Sequence, residues 1–132
     1  TGIKYFFNTK VDLKQTGATE ILIGKDGYKF MPLQVVAKTL TADSLSGNGI
    51  VELTDGDKVL MNVIYSTNPN KCKMSPDGNE FEIGREGNGL SINVSQADSG
   101  TSGTIRIYGF GIFIYDIPEN NQALSRGDNC NY

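Results

Sequence analysis

Apolar positions along this chain recur mostly at every second residue, the period of a strand whose side chains point alternately to two faces. Leu90, Ile92 and Val94 alternate with Ser91, Asn93 and Ser95, which predicts a strand with one face on a core and the other in water. Val11 and Leu13 alternate in the same way with Lys10, Asp12 and Lys14. Ile21, Leu22 and Ile23 predict a short buried strand, and Tyr28 opens a longer one that runs through Phe30 and Pro32 to Val35, Val36, Ala37 and Lys38. Pro32 cannot donate to a ladder, so it marks an edge, a bulge or a switch between sheets, and the switch is the favoured reading. Residues 49–53, residues 58–66 and the pair Phe81 and Ile83 predict further strands, although a helical period also fits part of 58–66. Asp26-Gly27 is a hairpin signal, Asp55-Gly56-Asp57 is a second turn, and residues 67–79 read as a surface loop.

The strongest signal is residues 103–116, GTIRIYGFGIFIYD. In a strand, Ile105, Ile107, Gly109, Gly111, Phe113 and Tyr115 share one face, and Arg106, Tyr108, Phe110, Ile112, Ile114 and Asp116 share the other. Both faces are apolar through the middle, whereas a two-layer sandwich needs only one to be. Either the chain's own segments cover the second face or another subunit does. Leaving Tyr108, Phe110, Ile112 and Ile114 in water would forgo about 6–12 kcal/mol at roughly 1.5–3 kcal/mol each. That sum is comparable with an association cost of roughly 4–15 kcal/mol, so these four residues are candidates for an oligomer interface. Gly109 and Gly111 leave a shallow slot that a ring from the opposing sheet would fill, unless they only relieve crowding.

With 132 residues, 16 glycines, 12 aromatics and no Trp or His, the composition suits one turn-rich β domain. The expected architecture is all-β, an antiparallel jelly-roll-like β-sandwich over residues 1–118. Residues 1–8 form a first strand or arm whose Tyr5, Phe6 and Phe7 dock on a neighbour. A polar tail, 119–132, orders on a partner through residues such as Arg126 and Tyr132. The net charge of −3 gives no global attraction to nucleic acid, and no apolar run reaches the length of a bilayer span, so neither nucleic acid nor membrane is an expected partner. Cys72 and Cys130 leave three states open: a disulfide within the chain, a bridge between chains, or two free thiols, the last being the default for cytoplasmic assembly.

Candidate chemistry is sparse. The absence of histidine removes the usual general base, histidine triads and most zinc sites. Lys71 and Lys73 flank Cys72 without making it an identifiable nucleophile. Asp55 with Asp57, and Asp77 with Glu80, sit at Gly-containing turns where aspartate is favoured for backbone reasons, and neither pair has calcium-loop spacing. GREGNG, residues 84–89, lacks the lysine and the strand-to-helix context of a phosphate loop. Arg126-Gly127-Asp128 is a three-residue match to an integrin-binding tripeptide, too short to predict anything. No catalytic residue, metal ligand or cofactor is expected.

Two resemblances add to this reading. VDLKQTGATEILI (11–23), GYKFMPLQVVAKT (27–39) and TIRIYGFGIFIY (104–115) together resemble small β-sandwich proteins of tailed bacteriophages, capsid decoration or tail-associated proteins. GYKF (27–30) and YGFGIFIYD (108–116) are similar to tumour-necrosis-factor and C1q-like jelly rolls, which implies a homotrimer with Tyr108, Phe110, Ile112 and Ile114 at the interface. The expectation is a non-enzymatic virion protein, assembled in the host cytoplasm. It would cement a phage shell as a homotrimer by contacting the major capsid protein or another virion protein. The alternative is a carbohydrate- or receptor-binding module with Tyr65, Tyr108 and Tyr115 as glycan platforms.

Overall fold

The computed structural model describes residues 3–75 and 81–116. Its strands are β1 (Lys4–Asp12), β2 (Gly17–Leu22), β3 (Tyr28–Asp43), β4 (Ile50–Thr54), β5 (Val59–Val63), β6 (Cys72–Ser75), β7 (Leu90–Gln96) and β8 (Ser102–Tyr115). One four-stranded sheet has the order β1-β8-β3-β6 and the other β2-β7-β4-β5, and every pairing is antiparallel. The pairs β4–β5, β3–β6, β2–β7 and β1–β8 are nested, as if one long hairpin had been doubled and then rolled. Rolling brings β8 beside β3 and β7 beside β4. The result is an all-β, jelly-roll-like antiparallel sandwich.

The core lies between the sheets. Phe7, Phe30, Val35, Ala37, Ile105, Ile107 and Phe113 from the first sheet meet Val51, Leu53, Met61, Val63, Leu90, Ile92 and Val94 from the second. β5 shows why residues 58–66 carried a mixed period. Leu53 pairs Met61 while Thr54 pairs Val59, so Leu60 is an extra residue in a bulge, and Leu60 and Met61 are both buried in succession.

Several expectations change. Pro32 is not a switch point: β3 stays in one sheet, and the register shifts between Pro32 and Gln34, a bulge. The carbonyls of Tyr28 and Phe30 accept from Gly87 and Gly84 on the side away from β8, so Pro32, two residues on, turns its missing N–H to that same side, where no strand needs it. Asp26-Gly27 makes a turn, with Gly27 at φ 82°, but it joins strands of different sheets and is no hairpin. Asp55-Gly56-Asp57 does close one, between β4 and β5. Ile23 is not buried but 79% exposed, and β2 ends at Leu22. Phe81 and Ile83 lie in irregular chain, and the stretch expected as loop contains β6. Residues 4–8 belong to β1, paired throughout with β8, so the expected arm is sheet from Lys4 onward. The boundary at 118, the tail with Arg126 and Tyr132, Cys130, and the pair Asp77 and Glu80 fall outside the described residues.

Candidate assembly surface

β8 is the central strand that decides what each face of its sheet presents. Its odd-numbered side chains go inward: Ile105 and Ile107 are fully enclosed, and Phe113 stacks edge-on against Phe30 and Tyr5 at 5.2 and 5.0 Å. The slot left by the glycines is filled, though by rings from flanking strands of the same sheet and not from the opposing one. A Cβ on Gly111 would lie 2.4 Å from Phe30 Cζ, and one on Gly109 would lie 3.0 Å from Phe7 Cζ and 1.9 Å from the carbonyl oxygen of Gln34.

The even-numbered side chains go outward. Tyr108, Phe110, Ile112 and Ile114 share that face, each half-buried by its neighbours. Register supplies the rest of the surface: Phe6 of β1 lies opposite Phe110, Met31 of β3 opposite Ile112, Val36 opposite Tyr108, and Met74 of β6 opposite Val36. Phe6 is 72% exposed and Met74 60%. Phe6 leans on Phe110 at 5.6 Å, and Lys4 Nζ sits 4.9 Å above the Phe110 ring. Between these walls lies a shallow hollow of about 450 Å³, with Phe6, Phe110, Tyr108 and Val36 around it. Sequence reasoning found the β8 contribution but missed Phe6, Met31, Val36 and Met74 as part of the same surface. Their outward parity was visible, but which strands flank β8 was not.

The outer face of the second sheet is the opposite kind of surface. Ala18, Glu20, Glu52, Asn62, Ser91 and Asn93 occupy its outward positions, and Asn93 donates to Glu52 at 3.1 Å. Charges on the first sheet's outer face are mainly cationic, from Lys4, Lys10, Lys38 and Arg106.

Other predicted site residues scatter. Phe7 is core and Tyr5 packs inward on Phe113, so of the three aromatic residues assigned to the arm only Phe6 is presented outward. Tyr65 is buried and cannot be a glycan platform. Tyr108 and Tyr115 lie on opposite faces of β8, and Tyr115 rests edge-on against Tyr28 at 5.7 Å. Cys72 is an exposed thiol 3.9 Å from the Tyr108 hydroxyl, whose pKa its contact raises, with burial adding to the rise.

A polar cluster that the sequence did not announce lies at one end of the sandwich. Asp98 is fully buried, and its carboxylate accepts from the N–H groups of Ser46 (2.9 Å), Gly47 (2.8 Å) and Gly100 (2.7 Å) and from the Tyr65 hydroxyl (2.5 Å). Burial pushes this carboxyl up, but the donated hydrogen bonds outweigh it and hold it well below the usual carboxylate range. Burial and the carboxylate push Tyr65 up to about 12, against a smaller opposing effect from the Gly49 N–H. Lys14 adds a third loop by donating to the carbonyls of Asp98 and Gly100. Asp55 does similar work at the other end, accepting from Asp57, Lys58 and Arg85 N–H groups at 2.8 Å each, and these hold its pKa down against burial. Both aspartates have their acceptors occupied by backbone, so they hold loops together and offer no open site.

No protein-family model and no curated protein matches the sequence. Solved structures of similar fold include a chain of the cyanophage Pam1 capsid asymmetric unit, with a TM-score of 0.52 and 13% identity over 84% of this chain and 85% of that one. A chain of the acid-stable capsid of Helicobacter pylori bacteriophage KHP30 has a TM-score of 0.50 and 11% identity, over 86% of this chain and 94% of that one. The chain shares its fold, over about 85% of its length, with chains of two phage capsid structures.

Proposed function

We propose that the chain is a non-enzymatic structural protein of a bacteriophage particle, a decoration or cement protein that sits on the shell as a homotrimer and ties neighbouring shell subunits. One observation carries this reading: the sheet β1-β8-β3-β6 has an apolar outer face that the described chain leaves uncovered. At least about two-thirds of the area of Tyr108, Phe110, Ile112 and Ile114 is already covered within the sheet, so those four alone would contribute no more than roughly 2–4 kcal/mol on association. That barely reaches the low end of the association cost, roughly 4–15 kcal/mol. Phe6, Met31, Val36 and Met74 enlarge the face, so the whole surface, and not β8 alone, is the proposed trimer contact. The fold shared with two capsid chains supports placing such an assembly on a virion.

With residues 4–8 built into β1, the reach toward the shell falls to residues 117–132, including Arg126 and Tyr132. Mass spectrometry of purified particles of the encoding phage tests the reading: the chain should be present in a copy number comparable to the main shell subunit. Its absence from particles, or a saccharide signal on a glycan array, would overturn it. Through this face alone, the mass expected in solution is three times the 14.3 kDa of one chain.

A further inference from the structure

β1 is an edge strand, and its outer edge is built to be paired. The N–H of Leu13 donates to Gly103 of β8, in register with every β1–β8 pair, so odd-numbered residues of β1 turn their backbone groups toward β8. Lys4, Phe6, Asn8 and Lys10 therefore turn theirs to the open side, and no loop or turn hydrogen bond among the described residues takes them. Asp12 is different, because its carbonyl already accepts from Gln15. An open run of this length is normally blunted by lysine, proline or a bulge. Here the lysines stand only toward the ends, with the 72% exposed ring of Phe6 between them. On the core side, Tyr5 and Val11 are only half-buried, open at this edge.

We infer that the free edge of β1 pairs antiparallel with β1 of a second copy across a two-fold axis at Asn8, joining the two first sheets into one continuous sheet. The order of charges selects this register. A two-fold at Asn8 sets Lys4 against the second copy's Asp12, Phe6 against its Lys10, and Asn8 against its Asn8. Opposite charges thus face each other at both ends, and a cation meets an aromatic ring on each side of the centre. Sliding by two residues, to a centre at Phe7, sets Lys4 against Lys10 and loses this match. In the Asn8 register, Phe6 with Lys10, Asn8 with Asn8 and Lys10 with Phe6 each exchange both backbone hydrogen bonds. Tyr5 and Val11 of the two copies then lie across from each other and close the half-open edge of each core. The edge is distinct from the outer face of the sheet, so the contact does not rest on the virion reading. If both hold, it links one trimer to the next.

The test uses the full chain with Cys72→Ser and Cys130→Ser, carrying either Asn8→Cys or Lys10→Cys and treated with the short thiol crosslinker dibromobimane. Position 8 meets its own copy at about 5.5 Å between Cα atoms in a hydrogen-bonded pair. Position 10 lies four residues from its own copy, about 14 Å along the strands. Asn8→Cys should give a covalent pair at twice the single-chain mass and Lys10→Cys should not. Equal linking at both positions, or none at Asn8→Cys because the edge is bare or taken by residues 117–132, would overturn the inference. Should Asn8→Cys fail to fold for want of the 2.8 Å bond that Arg106 gives Asn8, the dimer constant of Lys4→Glu decides. A carboxylate facing Asp12 should weaken pairing at least about tenfold, and an unchanged constant would refute the register.

Discussion

Around Asp98 the chain closes a charge inside itself, and across the outer face of β1-β8-β3-β6 it leaves aromatic and aliphatic side chains outside. Burial alone would rank both as anomalies, but they differ in whether anything is missing. Every described partner that Asp98 needs comes from its own chain: three backbone N–H groups and the hydroxyls of Tyr65 and Ser46. Phe6 and Met74 have no such completion, and hydrophobic burial, the dominant drive of association, is still available to them. If the self-sufficient cluster serves folding and the uncovered face serves the proposed assembly, substitutions in the two regions should separate the two properties.

The largest separation is expected on the face. Phe110→Glu with Ile112→Glu removes two partly covered apolar contacts, roughly 1–2 kcal/mol together, and sets like charges into the contact, which costs several kcal/mol more. Association through this face should weaken by at least about 10²-fold, seen as loss of the trimer's sedimenting mass, while the melting temperature of the single chain moves little. Ser91→Glu with Asn93→Glu on the polar outer face of the second sheet should leave the mass unchanged. Equal loss from both pairs would mean that the apolar face is not special.

Next comes Asp98→Ala, which strands three N–H donors and the Tyr65 hydroxyl. Breaking a buried charged network costs about 3–5 kcal/mol, so unfolding by urea should shift by that amount with the assembly face intact. The effect has a pH signature. The folded carboxyl lies below its unfolded value of about 3.9, so its contribution is complete above that pH and is lost as pH falls toward the folded value. The stability gap between parent and Asp98→Asn should therefore be as wide at pH 5 as at pH 7 and narrow only below about pH 4.

How much of this was legible follows from what each signal depends on. Residues 103–116 read correctly because inward and outward positions are a property of one strand, and β8 runs from Ser102 to Tyr115. Asp26-Gly27 misled because a turn signal fixes local φ but not partners: β3 pairs β8 and β6, not β2. β6 was hidden because Cys72–Ser75 is only four residues and its alternation is inverted, with Ser75 buried and Cys72 and Met74 outside, so it is held by pairing with Val35–Lys38 and not by its own pattern. Asp98 was hidden because Asp followed by Ser and Gly is ordinary turn chemistry. Its burial arises from a loop some 50 positions earlier, at Ser46 and Gly47, folding over it.

The smallest effect tests the seal itself by comparing one tyrosine from each region. Tyr65 gives its proton toward the Asp98 carboxylate in a buried pair, which pushes it up to about 12. Tyr108, on the open face, is raised first by its contact with the Cys72 thiol. A raised folded-state pKa contributes stability that is complete below the unfolded value of about 10 and is lost as pH climbs through the folded one. Parent stability should thus fall more steeply between pH 10 and 12 than that of Tyr65→Phe. At pH 7 the same variant should lose roughly 1–3 kcal/mol, because the Gly49 N–H loses its partner and one carboxylate oxygen keeps only the Gly47 N–H. In phenolate absorbance, the signal missing from Tyr65→Phe should be one that rises near pH 12, whereas Cys72→Ser should lower the titration of Tyr108 and leave that signal in place. If the Tyr65 signal instead rises near pH 10 while the fold is intact, the cluster is open to solvent and the contrast between a sealed end and an unfinished face fails at its polar side.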